Sequence, residues 1–328
     1  MFLFPQKLIL VIFCVIFVSF QVTPEALAEP PSIALCQVFP ADNPWNRDIS
    51  NDPVDPNSSK YIESIGKEKP LHPDFGSEPN QPSTLYGIPY TVVNKTQAKV
   101  PIHFVSDYGV EESNPGPYPI PPNAPIEGGN DRHVLVLEKD NCKLYELYNA
   151  QLLADNSWNA DSGAVFDLKS NNPRPNSDFC TSADAAGLPI LPGLVPYSEV
   201  ESGEIRHALR FTAKKTQRAF IRPATHYASN STNPNLPPMG LRLRLKANFD
   251  TSNYTGQARV ILNALKKYGL ILADNGGNWF ITGAQDSKWN NEDLAQLKRV
   301  PGSAFEVVSS GPLVLSSGNC KLNETPNR

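Results

Sequence analysis

The sequence predicts an all-β fold: mainly an antiparallel β-sandwich or jelly roll, with a few short helices and two disulfides. Three observations carry that expectation. Short apolar stretches, several alternating with period two, recur between turn residues. The 32 prolines stand among hydrophobic and aromatic segments, so they read as rigid turns rather than disorder. Helical periodicity is confined to brief segments.

The elements follow in chain order. Lys7, the apolar run Leu8 to Phe20 and the small-x-small site Ala26-Leu27-Ala28 have the form of a secretory signal peptide, residues 1–28. The mature chain then starts near Glu29, and residues 29–328 form a single secreted β-rich domain. No later apolar run reaches the length of a membrane span, so no integral membrane segment is expected after cleavage. Losing Lys7 and Glu25 leaves the formal net charge at -4, which argues against general nucleic-acid binding. Cys36, Cys142, Cys180 and Cys320 remain once Cys14 is removed, an even number in an oxidising compartment. Their spacings match no zinc template. Pairing the terminal cysteines, Cys36 with Cys320, and the central ones, Cys142 with Cys180, is the preferred of three connectivities.

Asn57 to Gly66 reads as a short helix with Tyr61, Ile62 and Ile65 on one side. Strands are expected at Tyr90–Val93, Ile102–Val105, His133–Leu137, Leu144–Tyr148, Ala164–Leu168, His207–Thr212, Ala219–Pro223, Leu241–Lys246, Leu270–Ala273 and Trp279–Thr282. Asp140-Asn141 turns a hairpin between the third and fourth of these. In Leu241–Lys246 leucines alternate with cations, the pattern of a half-buried strand. Ala258–Tyr268 is a helix striped by Ile261, Leu262 and Leu265 and stopped by Gly269. A second short helix runs from Asn291 to about Leu297.

Lipase, zincin, P-loop and dinucleotide signatures are absent. Chemistry therefore rests on acids and histidines near strand ends. His133 shares parity with Leu135 and Leu137, and His207 with Leu209 and Phe211. Both imidazoles face the apolar side of a sheet. With His226 they are candidates for general acid–base work. Glu127, Asp131, Glu146 and Asp184 are the candidate carboxylates. Those with apolar or small neighbours, Asp184 and Glu127 above all, suit a raised pKa. A pair of such groups is what glycoside hydrolysis requires. Trp158, Tyr118 and Tyr227 lie beside Asn, Pro or Ala and are expected to stack on sugar rings, as are Trp45, Trp279 and Trp289. Arg242 and Arg244 give one strand a cationic face suited to an acidic sugar. The histidines are far apart in sequence, so no metal site and no cofactor are expected.

The phrases Asn43-Pro44-Trp45-Asn46, Pro115-Gly116-Pro117-Tyr118-Pro119-Ile120-Pro121 and Ser182-Ala183-Asp184-Ala185-Ala186-Gly187-Leu188-Pro189 resemble those of a group of secreted bacterial proteins described as hypothetical. The resemblance extends over most of the mature chain. It implies bacterial export and carries no activity or site residue.

Together these features lead to an expected carbohydrate-active enzyme, a glycoside hydrolase acting on an extracellular or cell-wall polysaccharide through a carboxylate pair. A non-catalytic glycan-binding or envelope protein and a polysaccharide lyase are the alternatives.

Overall fold

The computed structural model describes residues 29–77, 86–315 and 318–322. The leader expected at residues 1–28 lies outside the described residues. The chain is mostly strands in several sheets. It opens with β1 (Ser32–Ile33), β2 (Cys36–Gln37), helix α1 (Ser58–Ile65) and β3 (His72–Pro73). Then come β4 (Tyr90–Val93), β5 (Ile102–Phe104), the single turn α2 (Gly109–Glu112), β6 (Val134–Glu138) and β7 (Lys143–Tyr148). β8 (Gln151–Leu152), β9 (Trp158–Ala160), β10 (Ser162–Asp167) and α3 (Tyr197–Ser202) lead into β11 (Leu209–Ala213), β12 (Ala219–Phe220) and β13 (Arg242–Leu245). The chain ends with α4 (Gly256–Lys267), β14 (Leu270–Asn275), β15 (Phe280–Ile281), α5 (Asn291–Ala295), β16 (Phe305–Val307) and β17 (Val314–Leu315).

Two sheets dominate. One has the order β10-β7-β6-β4, the other β16-β13-β14-β11-β15-β3. Both are mixed, which corrects the antiparallel expectation. β4 runs parallel to β6, and β11 runs parallel to β14. Short apolar stretches fix where strands lie but not their direction. Direction is set by the excursion between partners, and 40 residues of loop, β5 and α2 separate β4 from β6.

The four-stranded sheet is buried on both faces. Leu135, Leu137, Leu144, Ala164 and Phe166 join the main core. Val134, Val136 and Leu147 pack with Tyr118, Trp158 and Ile120 in a second, smaller core on the other face. This explains why β6 reads as a continuous apolar run rather than an alternating one. α4 packs Ile261, Leu262 and Leu265 inward as its stripe predicts, and begins two residues earlier than expected. α5 is capped by Asn290, whose side chain accepts the Glu292 and Asp293 N–H groups.

Two disulfides form, with a connectivity other than the preferred one. Cys36 bonds Cys142, and Cys180 bonds Cys320. The first fastens β2 to the β6–β7 turn, where Cys36 also approaches the Lys139 carbonyl. The second fastens the C-terminal segment to the loop that follows β10. Nearness to the two ends of a chain does not bring cysteines together; packing of the intervening strands does.

Candidate functional site

The site forms where the two large sheets meet. Glu146 and Tyr148 alternate with Leu147 on β7, so they share the main-core face with Leu144. His133 precedes β6 and stands beside Tyr148, with ring centroids 5.6 Å apart. Ser162 of β10 pairs with Tyr148. From the other sheet come Arg210 of β11 and Asp274 of β14. A β-bulge decides the position of Asp274. Phe211 pairs with Leu272, but Thr212 pairs with Asp274, leaving Ala273 as the extra residue. Paired residues share a face, so the bulge turns Asp274 to the side of Thr212 and Arg210. The Ala273 carbonyl is thereby spared for the loop opposite and accepts the Ala186 N–H at 2.9 Å.

That loop, residues 181–188, carries Asp184. Both peptide carbonyls flanking Asp184 are gripped by histidines. His133 Nε2 lies 3.1 Å from the Ala183 carbonyl, and His226 Nδ1 lies 2.8 Å from the Ala185 carbonyl. The other nitrogen of His133 meets Glu127 Oε2 at 2.5 Å. A nitrogen facing a carbonyl must donate, and the nitrogen facing the carboxylate gains by donating. Burial pushes the His133 imidazole down, but the hydrogen bond and charge of Glu127 outweigh it and raise the pKa. His133 is thus a buried imidazolium whose two donors are spent on Glu127 and Ala183. It positions Asp184 and has no free nitrogen for a substrate.

Asp184 is 1% exposed. Its Oδ1 accepts from Arg210 Nη2 at 3.0 Å, whereas its Oδ2 is buried with no partner. Arg210 Nη1 donates to Thr282 Oγ1 at 2.8 Å, and Nη2 lies 3.8 Å from Asp274 Oδ2. Burial lifts the Asp184 and Asp274 pKa values well above the carboxylate range. The charge of Asp184 adds to the rise at Asp274 and that of Glu146 to the rise at Asp184, and Arg210 opposes both. The pair shares one guanidinium, so the first proton lost leaves the second harder to remove. Glu146 lies deeper. It is fully buried and accepts the Ile190 N–H at 2.9 Å and the Leu191 N–H at 2.9 Å. Burial pushes it up to about 7 despite those bonds.

A cleft of about 420 Å³ opens above this cluster. Glu112, Asp131, Tyr148, Asp184, His226 and Asp274 are among its lining residues. Glu112 Oε2 accepts the Thr181 N–H at 2.7 Å and lies 3.8 Å from His226 Nε2.

Of the residues expected from sequence, Asp131, Asp184 and His226 line the cleft, and Glu127, His133 and Glu146 support it from behind. Tyr227 stacks on His226 with ring centroids 5.3 Å apart. The others lie elsewhere. His207 bonds the Ala208 carbonyl at 2.8 Å and faces Glu199 of α3 at 3.7 Å. Trp158 and Tyr118 are buried in the smaller core, and the Tyr118 hydroxyl donates to the Asn114 carbonyl at 2.8 Å. Trp45, Trp279 and Trp289 are buried as well. Pro and Asn neighbours mark chain corners, and here the rings plug those corners from inside.

Arg242 and Arg244 are buried too, because the segment Pro44–Ile49 covers their side of β13. Arg242 donates to the Pro44 and Tyr268 carbonyls at 2.6 Å each. Arg244 holds Glu306 at 2.8 Å and also donates to the Ile49 carbonyl. The expected half-exposed cationic face is therefore a set of guanidinium staples.

Sequence reasoning missed Arg210, Asp274, Glu112 and Tyr148. Arg210 had a signal, a lone cation between Leu209 and Phe211. Asp274 had only its place at the end of an apolar run, and the bulge that aims it leaves no pattern. Among the described residues no group of three or more metal-ligating side chains is arranged to hold an ion. No family model, curated protein or solved structure matches this chain.

Proposed function

We propose that the protein is an exported glycoside hydrolase acting on an extracellular or cell-wall polysaccharide, with Asp184 and Asp274 as its carboxylate pair. The observation that carries this reading is the Asp184–Arg210–Asp274 cluster on the floor of an open cleft. One guanidinium nitrogen sits 3.0 Å from one carboxylate and 3.8 Å from the other. The sum of these distances limits the separation of the two oxygens to about 7 Å. Retaining glycosidases keep their carboxyl groups roughly 5–5.5 Å apart and inverting ones roughly 6.5–9.5 Å. The limit takes in the retaining range and the lower edge of the inverting one, and the roles below are written for retention.

Roles follow from environment. Asp274 keeps 27% of its side chain exposed, and its raised pKa holds a proton toward neutral pH. It serves as general acid, giving that proton to the departing glycosidic oxygen. Asp184 is the more readily ionised of the two through its direct bond to Arg210. Its unpaired Oδ2 forms the bond to the anomeric carbon as the glycosidic bond breaks. Asp274, now ionised, then removes a proton from water, which displaces Asp184. Two observations weigh against the alternatives. A stacking module needs exposed rings, yet the loop tryptophans are buried. A lyase needs a free cation for the uronate, yet Arg242 and Arg244 are committed to backbone carbonyls and Glu306. Two disulfides support an oxidising compartment. Among the described residues no helix is long and apolar enough to cross a membrane.

The test is release of reducing ends from a panel of neutral, acidic and basic polysaccharides, with the anomer of the first product followed by NMR. Asp184→Asn and Asp274→Asn should each lower kcat by about 10²-fold or more while the melting transition stays cooperative. Unsaturated products absorbing in the ultraviolet would establish a lyase instead. Glycan retention with no product from any polymer would establish a binding protein.

A further inference from the structure

The lining of the cleft carries a second message. Its acids are Glu112, Asp131, Asp184 and Asp274, and among the described residues lining it there is no lysine or arginine. Arg210 lies beneath, buried and bound to Asp184 and Thr282. Two tyrosines, Tyr108 and Tyr148, share the walls, and the charges of Asp131 and Asp274 reach Tyr148. An independent feature points to a missing donor. Asp184 is 1% exposed, lines the cleft and holds Oδ2 without any hydrogen-bond partner. A buried acceptor left unmade is costly, so a ligand that donates to it recovers that cost.

From the carboxylate-lined walls, the unpartnered Asp184 oxygen and the tyrosine faces, we infer that the substrate is a polysaccharide bearing free amines, a polymer of basic amino sugars. The inference takes the cleft as the substrate site of the hydrolase proposed above. An ammonium group supplies three donors, suits a negative potential and rests well against an aromatic face. A uronate would meet the like charges of Glu112 and Asp131 on the same walls. An N-acetylated sugar lacks the charge, so the acids would lose solvation with less return.

Calorimetric binding to the full protein tests this, using hexamers of glucosamine, N-acetylglucosamine and galacturonate at a pH that protonates the sugar amines. The glucosamine hexamer should bind about tenfold or more tighter than the acetylated one at low salt, with the gap narrowing as salt screens the acids. Asp131→Asn alters an exposed side chain and should weaken glucosamine binding severalfold, leaving the melting temperature and N-acetylglucosamine binding unchanged. Equal or tighter binding of the acetylated or the uronate hexamer would overturn the inference. Reducing-end release from the same oligomers separates the two ideas. Selective amine binding without cleavage upholds the recognition and removes the hydrolase. Cleavage of neutral glycans with no amine preference does the reverse.

Discussion

Glu146 gives the cluster a measurable signature in stability. It is fully buried in the middle strands of a sheet, directly opposite Leu135 and Ala164. Burial raises its pKa, while the Ile190 and Leu191 N–H groups and the charges of His133 and Arg210 pull the other way. The balance carries it from an ordinary 4.5 to about 7. A carboxyl raised on folding binds more protons in the folded state than in the unfolded state between those values. Stability therefore falls as pH rises from about 4.5 to about 7, and levels off above. At about 1.4 kcal/mol per pH unit, ionised Glu146 costs the fold on the order of 3 kcal/mol at pH 8. Asp184, Asp274 and His133 are also raised, so each acts with the same sign. The protein should gain stability on mild acidification, against the usual trend for paired carboxylates. Glu146→Gln keeps an acceptor for the Ile190 and Leu191 N–H groups but cannot ionise. Near pH 5 the two proteins should unfold at similar denaturant concentrations. Near pH 8 the variant should be more stable by about 3 kcal/mol, or roughly 6 °C in Tm. Denaturant titrations at intervals from pH 5 to 8 measure this directly. A variant whose stability tracks the wild type across that range would show that Glu146 does not titrate there, and the reasoning would fail.

Two further perturbations probe the same region. Arg210→Met removes the guanidinium bonded to Asp184 and should cost about 3–5 kcal/mol in chemical denaturation at pH 8, with a smaller loss at pH 5, where the acids can take up protons. Gly187→Ala places a side chain at φ +72°, where its Cβ would collide with Thr225 Oγ1 and come within 2.7 Å of the Cys180 carbonyl. A loss of about 2–4 kcal/mol is expected by denaturant titration, together with reduced turnover through displacement of Asp184.

How much of this was legible in the sequence differs between elements for physical reasons. The helices and most strands follow from local periodicity and turn residues, which act over a few positions. Strand direction, sheet order and disulfide pairing depend on contacts far apart in the chain, so β4–β6 and β11–β14 emerge as parallel pairs where antiparallel ones were expected. Among site residues, Asp184 was legible because a charged side chain amid Ala, Gly and Pro is costly unless partnered. His133 was legible because its parity placed it on an apolar face. Its role was not, because that depends on Glu127 and on the Ala183 carbonyl 50 residues away. The aromatics misled because a ring beside Pro or Asn has the same local sequence whether it lies above the chain or beneath it. Arg242 and Arg244 misled because alternation shows which residues share a face, and not whether another segment covers that face.

The cluster's composition itself argues for use. Replacing a buried ion pair by well-packed apolar residues is often neutral or stabilising by about 1–4 kcal/mol, so packing alone gives no reason for charges here. Yet Glu146, Asp184, Arg210 and His133 are all buried at the meeting of two apolar sheets. Several devices hold them in one arrangement. A bulge at Ala273 turns Asp274 toward Arg210. Two histidines fix the carbonyls on either side of Asp184, and Glu146 anchors the chain just beyond that loop. The Cys180–Cys320 bridge ties down the loop's other end. After all of this, two polar atoms at the centre, Asp184 Oδ2 and Arg210 Nε, still have no hydrogen-bond partner. A structural network gains stability by satisfying every member. This one orders its neighbours yet leaves a buried carboxylate oxygen unpaired beneath a cleft, and that unmet acceptor is the feature on which the proposed substrate site rests.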